Sequence, residues 1–338
     1  MEGLSYCLLT DKEKKAYRVL ENAVLNHARG CNVDRIDRRI DIMRILGAVL
    51  SDYPEVIYFN RTLLRTNRSL FSKYISFTGI VPESNERQRE MKLKEALNDA
   101  VYGIDKTARD DREILQGISE YLQRTVKYDQ DELNAMASKR FNHCPDSHNA
   151  YGALANHLAV CDGFSAAFSL LARELGFRSM MVEGVSNYNR TRNVQHAWNI
   201  VEFNNAFYHI DATWDQSMYK NFEQYPYFYF GLTDDEIALD HEWDYKFTPK
   251  CADEGLSYYR HNKLVAYSEE QIDAIALREL RLGKKTIRIK VAVNVPVPND
   301  DGEYIGKRVL AQEPKAGLTN RIRFTWNECA RCFVAVLV

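Results

Sequence analysis

Residues 156–176 read NHLAVCDGFSAAFSLLARELG, and this stretch decides the interpretation of the whole chain. Its larger apolar side chains recur three and four positions apart and therefore share one face of a helix: Phe164, Phe168, Leu171 and Leu175. A helix with one apolar face packs on a core, and Gly176 is placed to end it. Cys161 lies where the preceding loop turns into this helix, off the repeating apolar stripe.

The position of Cys161 allows two interpretations. A cysteine taken alone is more often a small buried side chain than a nucleophile. A thiol at the N-terminus of a helix, however, lies beside unpaired backbone N–H groups and the positive end of the helix dipole, and both favour the thiolate. The same N–H groups can help to hold an oxyanion. Cys161 is a candidate nucleophile if the chain also supplies a base and a group that orients the base.

Residues 196–215, HAWNIVEFNNAFYHIDATWD, supply both groups. Two strand-like runs flank Asn204 and Asn205, and asparagine tolerates the positive φ that a two-residue hairpin turn needs. With that turn, His196 and Asp211 are diagonal neighbours on one face of the sheet, about 7–8 Å apart at the backbone and within reach of each other. A three-residue loop would place the two side chains on opposite faces.

This pairing predicts a division of roles. Asp211, opposite Trp198 on the second strand, accepts a hydrogen bond from one ring nitrogen of His196 and fixes its tautomer. The other ring nitrogen takes the proton of Cys161, whose thiolate attacks a carbonyl carbon. His209, on the same strand face as Asp211, is a rival base that lies nearer the turn.

The composition narrows the classes of partner. The chain has 338 residues, 45% of them hydrophobic, and a formal net charge of −2. Because it lacks a basic field, no nucleic acid partner is expected. No run approaches the ~18 apolar residues of a membrane span, so no span is expected either. The 7 scattered cysteines suit a reducing compartment better than a disulfide framework.

The first residues, MEGLSYCLLTDKEKKAY, lack the basic and long apolar segments of a signal peptide, which predicts a cytoplasmic protein. A protein whose leader has been removed would instead be secreted or surface-bound. The CxxC of residues 329–332 stands alone in a strand-like run, where its thiols would point to opposite faces, so no metal or redox site is expected there. His143, Cys144 and His148 lack a partner pair with zinc-ligand spacing.

Periodicity divides the chain into three regions: 1–105, mostly helical; 106–250, with mixed helices and strands; and 251–338, a helix followed by a small β unit. In the first region, one helix is predicted to end at Gly30 and another to cover residues 35–50. Residues 129–151 are polar and predict a long loop that leads into the Cys161 helix.

Two segments resemble the signature blocks of the transglutaminase-like superfamily: AVCDGFSAAFSLLARELGFRSMMVEG and HAWNIVEFNNAFYHIDATWD. The resemblance covers roughly residues 110–241. It implies an α+β fold with a papain-like core, in which a helix bearing Cys161 packs on an antiparallel sheet bearing His196 and Asp211, and it makes these three residues catalytic. The flanks, including SDYPEVIYF, are similar to the N-terminal helical and C-terminal β regions of bacterial members.

The resemblance also implies a reaction class. It is that of a thiol acyl-transfer enzyme acting on carboxamide or peptide bonds of a protein or peptide substrate through a thioester. With water as the acceptor, the same site is a cysteine peptidase or amidase, and a non-catalytic binding or scaffold module is the third interpretation. No metal or organic cofactor is implied, and the oligomeric state is left open. Trp198 and Trp214 are expected to wall the site, and Tyr151 is a candidate oxyanion donor.

Overall fold

The structure is a computed structural model of the chain. It describes residues 2–34, 36–59, 66–68, 74–77, 86–138, 144–187, 194–222, 224–298, 302–317 and 321–338, with only the backbone described for 66–68 and 218–222. His143, one of the residues considered above for zinc, lies outside these ranges.

The described residues form α-helices at α1 Leu4–Cys7, α2 Asp11–Leu25, α3 Ile42–Asp52, α4 Glu86–Asp105, α5 Asp111–Thr125, α6 Gln130–Ala137, α7 Ala150–Ala155, α8 Cys161–Glu174, α9 Ala212–Phe222, α10 Asp234–Ile237, α11 Tyr258–His261, α12 Glu269–Arg281 and α13 Glu303–Gln312. Their strands are β1 Gly30–Asn32, β2 Thr66–Arg68, β3 Tyr74–Phe77, β4 Lys127–Tyr128, β5 Leu158–Ala159, β6 Ser179–Ser186, β7 Val194–Phe203, β8 Ala206–Ile210, β9 Phe230–Leu232, β10 His241–Trp243, β11 Val265–Ala266, β12 Thr286–Val291, β13 Ile322–Asn327 and β14 Cys332–Leu337.

A five-stranded sheet of order β10-β6-β7-β8-β9 carries the predicted hairpin, and every neighbouring pair in it is antiparallel. Helix α8 packs on this sheet: the side chain of Asn199 on β7 donates to the carbonyl oxygen of Ser165 at 3.0 Å and to Ser169 Oγ at 2.9 Å. The prediction of an α+β fold with a helix on an antiparallel sheet is confirmed.

The hairpin turn is as predicted. Asn204 and Asn205 have φ values of 51° and 62°, so both central residues adopt the left-handed conformation that a two-residue turn requires. The register pairs Phe203 with Ala206. Strand β8 nevertheless stops at Ile210, so the predicted strand through Trp214 is wrong: its last residues open helix α9 instead.

Residues 129–151 are not the long loop that their polarity predicts. They contain helix α6 and a short 3-10 helix, Pro145–His148. The polar side chains cap these elements: Asp129 accepts the N–H of Glu132 at the start of α6, and Asn149 accepts the N–H of Tyr151 at the start of α7. In a sequence, capping residues resemble loop residues, because the same side-chain oxygen atoms accept backbone hydrogen bonds in both conformations.

Helices α2 and α3 differ from their predicted bounds. Helix α2 ends at Leu25, and Gly30 opens β1 instead of ending the helix. A Cβ atom at Gly30 would lie 2.1 Å from the carbonyl oxygen of Ile75 on β3, so the pairing of these strands requires glycine. Helix α3 begins only at Ile42, because the side chain of Asp41 caps it by accepting the N–H groups of Met43 and Arg44.

The buried apolar side chains form two clusters. A small one gathers residues between 9 and 77, and a large one extends from α4 to β14 with Leu4 and Ile57 added. The clusters are joined by polar contacts: Met181 N–H donates to Ser51 Oγ at 2.9 Å, and Arg173 pairs with Glu55 at 2.7 Å. The limits 1–105, 106–250 and 251–338 stay a prediction.

A second sheet, of order β11-β12-β14-β13, lies in the C-terminal part and shares the large cluster with the five-stranded sheet. It is tied to that sheet's surroundings by Asn327, whose side-chain amide donates to the Tyr229 hydroxyl at 2.9 Å. Within the described ranges no helix has the length and apolar character needed to cross a membrane.

Candidate active site

Cys161 is the first residue of α8, with Val160 as the N-cap. Its side chain is partly exposed, and no disulfide engages it. As the first residue of a helix, it has a backbone N–H without an intrahelical partner. The N–H of Gly163 is taken by Asp162 Oδ1 at 2.9 Å, and that of Phe164 by the carbonyl oxygen of Val160 at 3.0 Å. Cys161 therefore lies at the free positive end of a buried helix.

The start of α8 is held by the turn before it. The carbonyl oxygen of Ser147 accepts the N–H of Val160 at 3.0 Å, and an added Cβ at Gly163 would lie 2.3 Å from the same oxygen. Gly163 thus makes room for the Ser147 carbonyl group, which fixes the direction in which Cys161 enters the helix.

A buried histidine lies directly beside this turn. The Nδ1 atom of His148 lies 2.8 Å from Asp162 Oδ2, and its Nε2 atom lies 3.2 Å from Glu132 Oε1. Burial lowers the pKa of the His148 ring, but the two carboxylates outweigh it and raise the pKa to about 9. His148 is therefore a cation at neutral pH, and it ties the residue after Cys161 to α6. The sequence analysis considered His148 only as a zinc ligand and did not predict these two contacts, which span 14 and 16 residues.

His196 lies on β7 and is only 8% exposed. Its Nε2 atom is 2.5 Å from Asp211 Oδ2, and the ring lies close enough to the Cys161 side chain for the two groups to interact electrostatically. Burial lowers the pKa of His196, but Asp211 and Cys161 together raise it to about 9. The structure thus brings the three predicted catalytic residues together, with the imidazole between the thiol and the carboxylate.

Asp211 follows the last residue of β8 and precedes α9, instead of standing opposite Trp198 on a strand. Its Oδ1 atom accepts the N–H groups of Thr213 at 2.9 Å and Trp214 at 3.0 Å, so it caps the helix, and its Oδ2 atom faces His196. Burial raises the pKa of Asp211, but the two histidines nearby outweigh it and hold the pKa well below its usual range. Asp211 is a carboxylate.

The second of those histidines is His241, which the sequence analysis did not identify. It opens β10, is 1% exposed, and places Nε2 3.2 Å from Asp211 Oδ2. Its Nδ1 atom lies 2.6 Å from Asp240 Oδ1. Nothing in the local pattern around residue 241 signals this contact, because it spans 30 residues and depends on the pairing of β10 with β6.

Two tryptophans flank the imidazole as expected. The ring of Trp198 stacks on that of His196, with centroids 5.9 Å apart and planes inclined by 20°, and the ring of Trp214 lies 5.6 Å away. Trp198 is buried and Trp214 is partly buried. These rings exclude water from the ring faces of His196, which strengthens its contact with Asp211.

His209 is not placed to act as the base. The Nε1–H of Trp198 donates to its Nδ1 atom at 2.9 Å, so the ring proton is on Nε2 and points to Asp234 Oδ1 at 3.0 Å. Burial lowers the pKa of His209, which keeps the ring neutral. Both nitrogens are occupied, and neither faces Cys161.

The same reasoning bears on metal binding. In the described residues, two buried groups have suitable spacing, and hydrogen bonds already occupy both. His209, Asp234 and Cys251 would need the Nε2 lone pair that the Trp198 contact denies them. His196, Asp211 and His241 form direct hydrogen bonds that leave no gap for an ion. A third group, His27, Glu86 and Glu90, is more exposed and could hold a cation, away from the triad.

The oxyanion donor is less well defined. Tyr151 lies buried on α7 with the guanidinium of Arg89 5.0 Å from its ring centre, so its role as a donor stays a prediction. Tyr128 is a further candidate. It pairs with Ala159 on β5 and packs its ring on Phe164 at 6.5 Å. Burial raises the pKa of Tyr128, and the charges of Cys161 and Asp211 raise it further, so its hydroxyl stays a donor near both groups.

A comparison with known protein families matches the region of the chain that contains this site. The family model described as the transglutaminase-like superfamily matches residues 98–212, which include Cys161, His196 and Asp211. No curated protein matches this chain in sequence at a significant level.

Solved structures that resemble the chain include a transglutaminase and a candidate cysteine protease from Cytophaga hutchinsonii. The transglutaminase is 14% identical over 44% of this chain and 43% of its own, with a TM-score of 0.33. The second is 11% identical over 44% of this chain and 61% of its own, with a TM-score of 0.29. The chain thus spans less than two thirds of either structure.

Proposed function

We propose that the protein is a thiol acyl-transfer enzyme acting on carboxamide or peptide bonds of proteins or peptides, since residues 98–212 match the family model of the transglutaminase-like superfamily. Cys161 is the nucleophile, His196 the general base and acid, and Asp211 the residue that orients His196. The observation that carries this proposal is the contact of one buried imidazole with both the thiol and the carboxylate.

The proposed reaction has two halves. In the first, the Cys161 thiolate attacks the carbonyl carbon, and the His196 imidazolium gives its proton to the departing amine as the C–N bond breaks. The product is a thioester between the acyl group and Cys161. In the second, an amine or water attacks the thioester, His196 takes the proton of the attacking group, and the thiolate leaves. The acceptor decides whether a new amide bond or a carboxylate results.

Protonation states in the site support this sequence of steps. The carboxylate of Asp211 and the raised pKa of His196 favour an imidazolium next to Cys161 at neutral pH. An imidazolium beside the thiol and the free N-terminus of α8 both favour the thiolate. The thiol is partly exposed while His196 and Asp211 are buried, so a substrate carbonyl can reach sulfur without uncovering the pair behind it.

Alkylation tests the proposed nucleophile. Iodoacetamide at pH 6.5 is expected to label Cys161 faster than Cys7, which is exposed and serves as the internal reference. His196→Ala is expected to remove the preference. Site-resolved mass spectrometry of a brief labelling pulse measures both rates. Equal rates in the unaltered protein would contradict the proposal and leave a binding or scaffold module as the better interpretation.

A glutamine-containing peptide then separates the acceptors. Incubated with and without a primary amine, it is expected to yield an amine adduct if an amine resolves the thioester, and deamidation or cleavage if water does. Cys161→Ser is the matched control, since it preserves the fold and removes the thiol. Product formation by the Cys161→Ser variant at an unchanged rate would contradict the proposed chemistry.

A further inference from the structure

His241 lies beside Asp211 and contacts the same carboxylate oxygen as His196. Its ring is 5.3 Å from that of His196, and the Nε2 atoms of both histidines face the same oxygen, Asp211 Oδ2, at 3.2 Å and 2.5 Å. Its other nitrogen lies 2.6 Å from Asp240 Oδ1. His241 is 1% exposed and lies between two carboxylates, an arrangement that packing of the core alone does not require.

The hydrogen bonds around His241 fix its charge. Tyr229 accepts the amide N–H of Asn327 at 2.9 Å and donates its own O–H to Asp240 Oδ2 at 2.6 Å. Burial raises the pKa of Tyr229, so this phenol keeps its proton and remains the donor. Asp240 is then an acceptor toward His241 as well, and Asp211 is an acceptor on its other side. Both ring nitrogens of His241 must therefore donate, which makes the ring an imidazolium.

The groups that face His241 come from several elements. Asp211 at the end of β8 and Asp240 before β10 are the carboxylates. His196 on β7 and His209 on β8 are the other imidazoles, and Tyr229 lies 5.7 Å away before β9. Burial lowers the pKa of His241, but Asp211 and Asp240 raise it above its ordinary value. Two carboxylates close to one buried ring hold it charged.

We propose that His241 is a cationic positioning residue. It holds the Asp211 carboxylate and offsets part of its charge, so that His196 can release its proton during the reaction. This inference rests on the proposed function. Without the cation, the full charge of Asp211 would act on His196 and keep its proton bound to a higher pH.

His241→Gln tests this role, because glutamine keeps a side-chain amide that can donate to Asp211 and cannot carry a charge. The measurement is the alkylation rate of Cys161 between about pH 4 and 11. In the unaltered protein the rate is expected to change as His196 loses its proton. In the variant this change is expected to move to higher pH, by about one unit.

His209→Gln is the matched control. His209 is a second buried histidine that touches Trp198 and faces an aspartate, but it is neutral. Its replacement is expected to leave the pH of the His196 change where it is in the unaltered protein. A His241→Gln variant that is slower at every pH, with the change at its original pH, would overturn the inference, since that result describes a structural role. Absence of fast labelling in the unaltered protein would instead contradict the proposed function itself.

A second measurement does not depend on whether the variant folds. In protein labelled with ¹⁵N-histidine, the ring bonded to Asp211 and Asp240 is expected to carry protons on both nitrogens at pH 7.5. The ¹⁵N chemical shifts of the ring distinguish this form from the neutral one. A neutral His241 ring at that pH would overturn the inference, whatever the alkylation profile shows.

Discussion

At the scale of single residues, the site separates a partly exposed thiol from two buried partners. Cys161 is accessible, whereas His196 is 8% and Asp211 1% exposed. The charge of Asp211 is costly to bury, and it is stabilised by two imidazole N–H groups and two backbone N–H groups. We therefore expect replacement of Asp211 to change the reactivity of Cys161 much more than it changes the fold.

Asp211→Asn is expected to lower the alkylation rate of Cys161 at pH 7 by up to ~10⁴-fold, the loss of kcat that follows when the aspartate of a Ser-His-Asp triad becomes an amide. The amide oxygen can still cap α9, but the negative charge that raises the pKa of His196 is gone. The imidazolium then loses its proton at a lower pH. A rate within twofold of the unaltered protein would contradict the assigned role.

Asp215→Asn provides the control. Asp215 is fully buried four residues further on, and because burial disfavours its charged form, its pKa is raised well above the ordinary value. Its Oδ1 atom accepts the N–H groups of Phe228 and Tyr229, which an amide oxygen can also do. This variant is expected to keep the reactivity of Cys161.

At the scale of elements, the start of α8 depends on the histidine that joins Asp162 to Glu132. Because the folded pKa of His148 is about 9 and an ordinary histidine has about 6.5, its contribution is fully present below pH 6.5 and is lost as the pH rises through 9. The unaltered protein should therefore have a higher free energy of unfolding than the His148→Gln variant. The difference between the two should be largest at low pH.

The difference between the two proteins is expected to shrink by on the order of 3 kcal/mol between pH 6.5 and 9. Urea unfolding at several pH values measures it, and the shift of His196 is common to both proteins and cancels. A constant difference across this range would show that His148 is neutral in the folded protein.

The local sequence pattern predicted helix α8 and the register of the hairpin. The apolar stripe of α8 and the Asn204-Asn205 turn depend on neighbours in sequence, so the helix and the hairpin register could be read directly. Helix α6 was missed because its capping aspartate and polar face resemble a loop. The strand that ends at Ile210 was predicted too long, because Asp211 acts as a cap, a role that alternation of side chains does not reveal.

At the scale of the whole molecule, the second sheet and the site share one core. His241, Asp240, Tyr229 and Asn327 form a chain of hydrogen bonds from Asp211 to the C-terminal sheet. No sequence spacing predicts this chain, because two of its contacts span 30 and 98 residues. The residue pattern and the resemblance predicted Cys161, His196 and Asp211, and only the assembled fold adds His241 and the groups beyond it.

Shared packing predicts shared unfolding. Phe333→Ala, which empties a buried position in β14, is expected to cost about 3–5 kcal/mol and to lower together the urea concentrations at which Cys251 and Cys332 become reactive. Ile45→Ala makes a similar cavity in the small core and is expected to act mainly on Cys31. Pulsed alkylation with site-resolved mass spectrometry distinguishes the two. Equal shifts at all these cysteines would indicate a single cooperative core.

The three residues of the proposed triad are expected to be under different evolutionary constraints. Asp211 caps α9 as well as holding His196, so a lineage that abandons the chemistry is still constrained to keep an oxygen acceptor at this position. Cys161 is partly exposed at the first position of its helix, where many small side chains fit. Among descendants of this protein, an aspartate at 211 therefore reports ancestry, and the thiol at 161 reports present use.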